Sequence, residues 1–219
     1  SLGEIMAEYS SDEERFSALV NFFKDNKNTF LISLLIASVF LISSLGYKSY
    51  TSSQNEKAAE LYDAWLLSNA SDTSVADKNV DNFNHLQEKY TNTGYAQLAR
   101  IIRGSALAQK GQLDAALEEF NELLKASSGF FGNEMLNSIA KINIARIELS
   151  QNNFSNALEA LESFNSNTEH PLVYEVKGDA LIGLDKSSLA LDQYALALKN
   201  TQNESEQSIL KMKINKLNN

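Results

Sequence analysis

The sequence predicts an all-α protein: a single N-terminal transmembrane helix, then a solenoid of helical hairpins closed by a C-terminal capping helix. Three observations predict it. An uncharged apolar run lies near the N-terminus, one spacing of small and bulky residues recurs three times behind it, and the 219 residues include a single proline, the residue that helix interiors exclude. The length accommodates one membrane anchor plus one domain of about 150 residues.

The anchor is the run TFLISLLIASVFLISSLGY, residues 29–47, bounded by Lys27 and Lys48 and free of charge. As a helix, Phe30 to Tyr47 covers roughly 27 Å, close to the roughly 30 Å of a bilayer's hydrocarbon core. A cleaved signal peptide would need a short basic leader, a shorter apolar stretch and a small-x-small cleavage site. Here the run follows a polar leader containing Glu4, Glu8, Asp12, Glu13, Glu14 and Asp25, and Ser44-Leu45-Gly46 makes a poor cleavage sequence. The run therefore reads as an uncleaved signal anchor. Arg15, Lys24 and Lys27 precede it while Lys48 and Lys57 follow, a bias toward an N-terminus inside the cell. The expected organisation is a cytoplasmic leader at 1–28, the transmembrane anchor at 29–47 and an exported repeat domain at 48–219, periplasmic in a bacterium. Within the leader, Phe16, Leu19, Val20 and Phe23 form a helical stripe over Asp12–Lys24 suited to a membrane interface or a partner helix.

The repeat is visible when the chain is aligned with itself on Ala116, Ala157 and Ala190, which lie 41 and 33 residues apart. Twelve residues before each alanine stands a small residue (Gly104, Ala145, Gly178), and four residues after it a bulky one (Phe120, Leu161, Tyr194). Antiparallel helices approach closely only where small side chains meet, and a residue four places on lies one turn further along the same face. A bulky side chain there is expected to fill the groove against the next hairpin. The period is that of a tetratricopeptide repeat, near 34. Hairpins are expected at about 96–125, 134–163 and 172–199, with turns at Lys110–Asp114, Gln151–Ser155 and Gly183–Ser187. Asp114, Ser155 and Ser187 or Ser188 are the expected helix caps. The loop Ala126–Gly129, with Gly132-Asn133 behind it, absorbs the longer first period. Upstream, Glu56–Leu67 (Ala58, Leu61, Tyr62, Trp65, Leu66) and Asp77–Tyr90 (Val80, Phe83, Leu86, Tyr90) read as a degenerate leading hairpin. Downstream, Glu204–Leu217 reads as the capping helix that covers an open stack, with Asn203 or Thr201 at its start.

With these features in place the chain resembles the YfgM family, ancillary subunits of the bacterial SecYEG translocon. The matching segments are Phe22-Phe23-Lys24-Asp25-Asn26 before the span, Tyr90-Thr91-Asn92-Thr93 with Tyr95-Ala96, Ile144-Ala145-Arg146-Ile147, Lys177-Gly178-Asp179-Ala180-Leu181 and the terminal Met212-Lys213-Ile214-Asn215-Lys216-Leu217. The resemblance implies an inner-membrane, single-pass protein with a cytoplasmic N-terminus. Its periplasmic domain would join the SecYEG translocon and a PpiD-like membrane-anchored chaperone, assisting the trafficking or early folding of exported client chains. A repeat adaptor for another envelope complex, in cytochrome maturation, cell division or envelope-stress regulation, shares the same anchor and repeats.

Catalytic chemistry finds no footing in the residues. Without cysteine there is no thiolate nucleophile or thiolate metal site, and no phosphate-binding loop or nucleophile elbow occurs. His85 and His170 lack the spacing of a metal pair, and His170 reads as a loop residue before the helix-starting Pro171. Lys and Arg number 19 against 28 Asp and Glu, so nucleic acid would be repelled. The expectation is a non-enzymatic interaction protein without cofactors.

The expected partner surface is the concave side lined by the first helix of each hairpin: Leu98, Ile101 and Ser105, then Ile142, Arg146 and Leu149, then Leu172, Glu175, Asp179 and Ile182. Arg146 is the single cation among them, so a clamp for a peptide carboxylate is not expected. An apolar segment such as an amphipathic helix fits better. The competing reading is that the chain's own Trp65 helix or its terminal helix fills the groove.

Overall fold

The computed structural model describes residues 17, 20–22, 24–70, 76–164 and 168–218, and among them only helices and turns occur. Phe16, Leu19 and Phe23 of the leader stripe lie outside the described residues. The chain divides into two compact units, Ser1–Gln54 and Asn55–Asn219.

Helix α1, Lys27–Ala70, is one uninterrupted helix of 44 residues, consistent with the absence of proline from it. Its N-terminal part is apolar on all sides, with Leu35, Phe40 and Ile42 pointing outward. By length and composition it is the one helix among the described residues able to cross a membrane. The Ser33 and Ser38 hydroxyls donate back to the carbonyls of Thr29 and Leu34, which satisfies polar groups that lipid cannot.

Among the described residues, the second unit holds the C-terminal part of α1 and eight further helices: α2 (Ala76–Tyr90), α3 (Gly94–Gln109), α4 (Leu113–Ala126), α5 (Glu134–Ser150), α6 (Phe154–Ala160), α7 (Pro171–Gly183), α8 (Ser187–Asn200) and α9 (Glu204–Asn218). The pairs α3/α4, α5/α6 and α7/α8 are the three hairpins expected from the repeat, although α6 ends at Ala160 and continues as a turn. The core is a row of four clusters, not one central mass. Ala58, Tyr62 and Trp65 of α1 pack with Phe83 and Leu86 of α2 and Ala96 and Ala99 of α3. Three further clusters join α4 to α5, α5 and α6 to α7, and α7 and α8 to α9. Among the described residues the clusters link each hairpin to the next, the arrangement of a solenoid.

The small and bulky positions of the repeat meet directly. A Cβ built on Gly104 would lie 2.9 Å from Cε2 of Phe120, and one on Gly178 would collide with the Tyr194 ring. Ala145 and Leu161, the equivalent pair, are both fully buried in one cluster. The bulky side chain therefore first fills the notch over its own hairpin's small residue. Phe120 also shares a cluster with Ala140, Ile144 and Ile147 of the following helix, so the expected role toward the next hairpin accompanies the closer one.

The hairpin turns are built differently from the expectation. Asp114, Ser155, Ser187 and Ser188 do not cap their helices. The N-caps are Gln112, Asn153 and Lys186, and none makes a side-chain cap bond. The physical reason lies in the preceding helix, which closes through a left-handed residue at Gly111, Asn152 or Asp185 (φ +74°, +61° and +58°). The next N–H then donates back to a carbonyl five residues earlier: Gln112 to Leu107, Asn153 to Glu148 and Lys186 to Leu181. This is the Schellman closure, and the residue whose N–H closes one helix is the N-cap of the next. At the last turn the expectation holds, since the Asn203 side chain accepts from the N–H groups of Ser205 and Glu206.

Overpacking the notch tests the register. Replacing Gly104, Ala145 or Gly178 by Leu should destabilise by about 1–3 kcal/mol, seen as a lower thermal midpoint by circular dichroism. Unchanged midpoints in all three variants would contradict the packing described.

Candidate partner-binding surface

The first helices of the hairpins start at defined points. The Thr93 hydroxyl accepts from the Ala96 N–H at the start of α3, the Asn133 side chain accepts from the Leu136 N–H at the start of α5, and Pro171 opens α7. Residues at intervals of three and four then share a face of each helix, and the ten expected lining residues fall into three groups.

Leu98 and Leu172 are exposed, at 41% and 39%, and Arg146 is exposed as well. Arg146 and Ser105 border a cleft of about 380 Å³ between α3 and α5, together with Ala108, Asn143 and Ser150. These residues form the accessible part of the surface.

Ile101, Ile142, Leu149 and Ile182 are instead partly buried, each packed against a core cluster. Ile142 and Leu149, for instance, lie against the cluster that holds Val173, Val176 and Ala180 of α7. Their aliphatic character is used in stacking one hairpin on the next.

Glu175 and Asp179 are engaged by the terminal helix. Lys213 Nζ lies 2.8 Å from Glu175 Oε1 and 2.7 Å from Asp179 Oδ1, and it stands 5.5 Å from the centre of the Tyr194 ring. The Tyr194 hydroxyl donates to Asp179 Oδ1 at 2.7 Å. Burial alone would lower the Lys213 pKa, but hydrogen bonds to Asp179 and Glu175 and the charge of both outweigh it, and the pKa is raised. Burial, then the hydrogen bond to Asp179 and the two nearby carboxylates, pushes the Tyr194 phenol well above its ordinary value. At this end of the stack the chain's own helix covers the acidic positions. Trp65, by contrast, packs on Phe83 at 5.8 Å between ring centres and belongs to the first cluster.

Sequence reasoning missed Lys213 as a lining residue, because nothing in a terminal MKINKL signals a partner 38 residues upstream. It also missed the polar joint at the other end. Glu119 of α4 receives Arg100 at 2.7 Å and Arg103 at 3.2 Å, and the Arg103 guanidinium sits 4.4 Å from the Phe83 ring centre. The periodic recurrence of Arg100 and Arg103 on one helix face was the available signal. A larger cleft of about 740 Å³ lies between α4, α5 and α6, with Lys141, Glu148 and Glu159 in its walls. The histidines rest against rings, His85 on Tyr90 and His170 on Phe164.

A helix able to span a membrane, followed by stacked helical hairpins, defines a helical-repeat protein that carries its own anchor. The chain belongs to the family of the tetratricopeptide repeat-like domain, whose model matches residues 21–219. It is similar over nearly its whole length to two proteins described as ancillary SecYEG translocon subunits. That of Neisseria gonorrhoeae is 22% identical over 97% of this chain and 100% of the relative, and that of Escherichia coli is 22% identical over 95% and 98%. The protein of the same description from Buchnera aphidicola of Acyrthosiphon pisum is 26% identical over 56% of this chain, and the match spans 62% of that relative. No solved structure matches the chain. The resemblance drawn from short segments of sequence thus holds over the full length.

The Lys213 cluster makes stability depend on alkaline pH. Both groups have folded pKa values raised above their unfolded values of 10.0 and 10.5, so their stabilisation is fully present below those values and is lost as pH rises through the folded ones. The thermal midpoint should therefore fall above about pH 10. Lys213→Gln should lower the midpoint at neutral pH and flatten the alkaline fall; an identical alkaline slope in both proteins would contradict the role of this cluster.

Proposed function

We propose that the chain is a non-enzymatic, membrane-anchored scaffold of the Sec translocon that assists the trafficking or early folding of exported proteins together with a PpiD-like periplasmic chaperone. The observation that carries the reading is the similarity over nearly the full length to ancillary SecYEG translocon subunits. The fold supports it: stacked hairpins present a long surface with room for side-chain recognition.

In this reading residues 29–47 anchor the chain in the inner membrane, the N-terminus is cytoplasmic and residues 48–219 are periplasmic. The partner is met on the accessible part of the first-helix surface, at Leu98, Arg146 and Leu172. Ile101, Ile142, Leu149 and Ile182 support that surface from below. Glu175 and Asp179 contribute by seating α9 through Lys213. An apolar helix or an extended exported segment is the fitting ligand, since the accessible residues pair two leucines with one cation.

Crosslinking in native membranes followed by mass spectrometry should recover translocon subunits and the chaperone; cell-division or haem-handling proteins without them would defeat the reading. Leu98→Asp should keep the thermal midpoint and lose the partner, whereas Ile142→Asp should lower the midpoint because its side chain packs on the core. For topology, a cysteine placed at Ser52 should react with a membrane-impermeant thiol reagent in intact spheroplasts while one at Ser11 should not, and the reverse pattern would overturn the orientation.

A further inference from the structure

The loop between α4 and α5 carries the two most exposed large apolar side chains among the described residues, Phe130 at 95% and Phe131 at 85%. Even Phe40, the most exposed such side chain among the described ones of the apolar span, reaches 76%. The two rings meet edge to face, 5.1 Å apart, and Met135, at the start of the following helix, is 67% exposed.

The loop is held in one shape from within. The Ser127 N–H donates to Leu123, the Gly132 N–H to Gly129 and the Asn133 N–H to Ser127. The Ser127 and Ser128 hydroxyls donate to Leu123 and Leu124, and the Asn137 amide donates to the Ser128 hydroxyl at 2.9 Å. Gly129 has φ +92°, and a Cβ on Gly132 would collide with the Ser127 carbonyl. Residues 126–133 are Ala-Ser-Ser-Gly-Phe-Phe-Gly-Asn, without charge.

A preformed, uncharged tip that presents two adjoining aromatic rings can enter a lipid interface, where water and headgroups still hydrogen-bond the backbone that carries them. The chain supplies the lipid as well: its own span keeps the repeat unit tethered to a bilayer, which converts a weak contact into an intramolecular one. Net charge −9 offers no attraction to anionic headgroups, so the contact must be apolar. We propose that Phe130 and Phe131 insert into the interface of the bilayer that anchors the chain.

The proposal rests on the reading of residues 29–47 as a membrane anchor, and the test uses the full chain reconstituted in phosphatidylcholine vesicles without translocon proteins, so its outcome does not depend on the translocon role. Phe130→Trp adds an indole to a chain whose one tryptophan, Trp65, is buried at 2% exposure. Phosphatidylcholine brominated on its upper acyl chain should quench most of the added emission, equally with and without phosphatidylglycerol. Leu189→Trp, on an exposed site of α8, should resist quenching. Emission of a solvent-exposed indole that bromine leaves unchanged would overturn the proposal, as would equal quenching of the Leu189 variant. A blue shift without quenching, seen only when membrane proteins are added, would also overturn it and assign the loop to a protein pocket.

Discussion

The stack depends on one contact: a bulky side chain seated in the notch that a small residue leaves on the facing helix of its own hairpin. Phe120 on Gly104 and Tyr194 on Gly178 bring the helices close enough for Ala116, Ala157 and Ala190 to be fully buried at the crossings. Once seated, the same ring presents its far side to the next hairpin, as Phe120 does to Ala140 and Ile144. Closing a hairpin and stacking it are therefore one packing event, and this lets a chain with four small clusters hold together.

The two ends of the stack are joined by charge. At the N-terminal end Glu119 accepts two arginines that also lie near the Phe83 ring, tying the leading helices to the first hairpin. At the C-terminal end Lys213 bridges Glu175 and Asp179 and lies near Tyr194, which is also the notch residue of the third hairpin. Partly buried charges are tolerated only when paired and hydrogen-bonded, so each joint fixes its helix in orientation as well as in place. The middle of the first-helix surface, around Leu98 and Arg146, is left open between them.

The anchor and the repeat unit obey different solvents. The apolar part of α1 exposes Leu35, Phe40 and Ile42, the pattern of a helix able to cross a membrane. Further along the same helix, Ala58, Tyr62 and Trp65 are buried at intervals of three and four. Phe130 and Phe131 belong to the repeat unit yet follow the logic of the span, and this mismatch singles them out from the scattered exposed leucines that any surface carries.

What the sequence by itself determined was whatever is encoded locally or repeated: the span from an uncharged run, the helices from apolar periodicity, and the hairpins from three copies of one spacing. The positions of Gly104, Ala145 and Gly178 were legible because the same requirement recurs. The helix closures at Asn152 and Asp185 were not, since the left-handed conformation is chosen by the turn and taken by residues that elsewhere need not adopt it. Among the ten lining residues, periodicity placed all on one face but could not divide them. Leu98 and Ile142 read alike in sequence, and only the seating of the next helix buries one and leaves the other open. Lys213 meeting Glu175 and Asp179, like Glu119 meeting its arginines, was decided by the tertiary structure alone, because Coulomb attraction depends on distance in space and leaves no period along the chain.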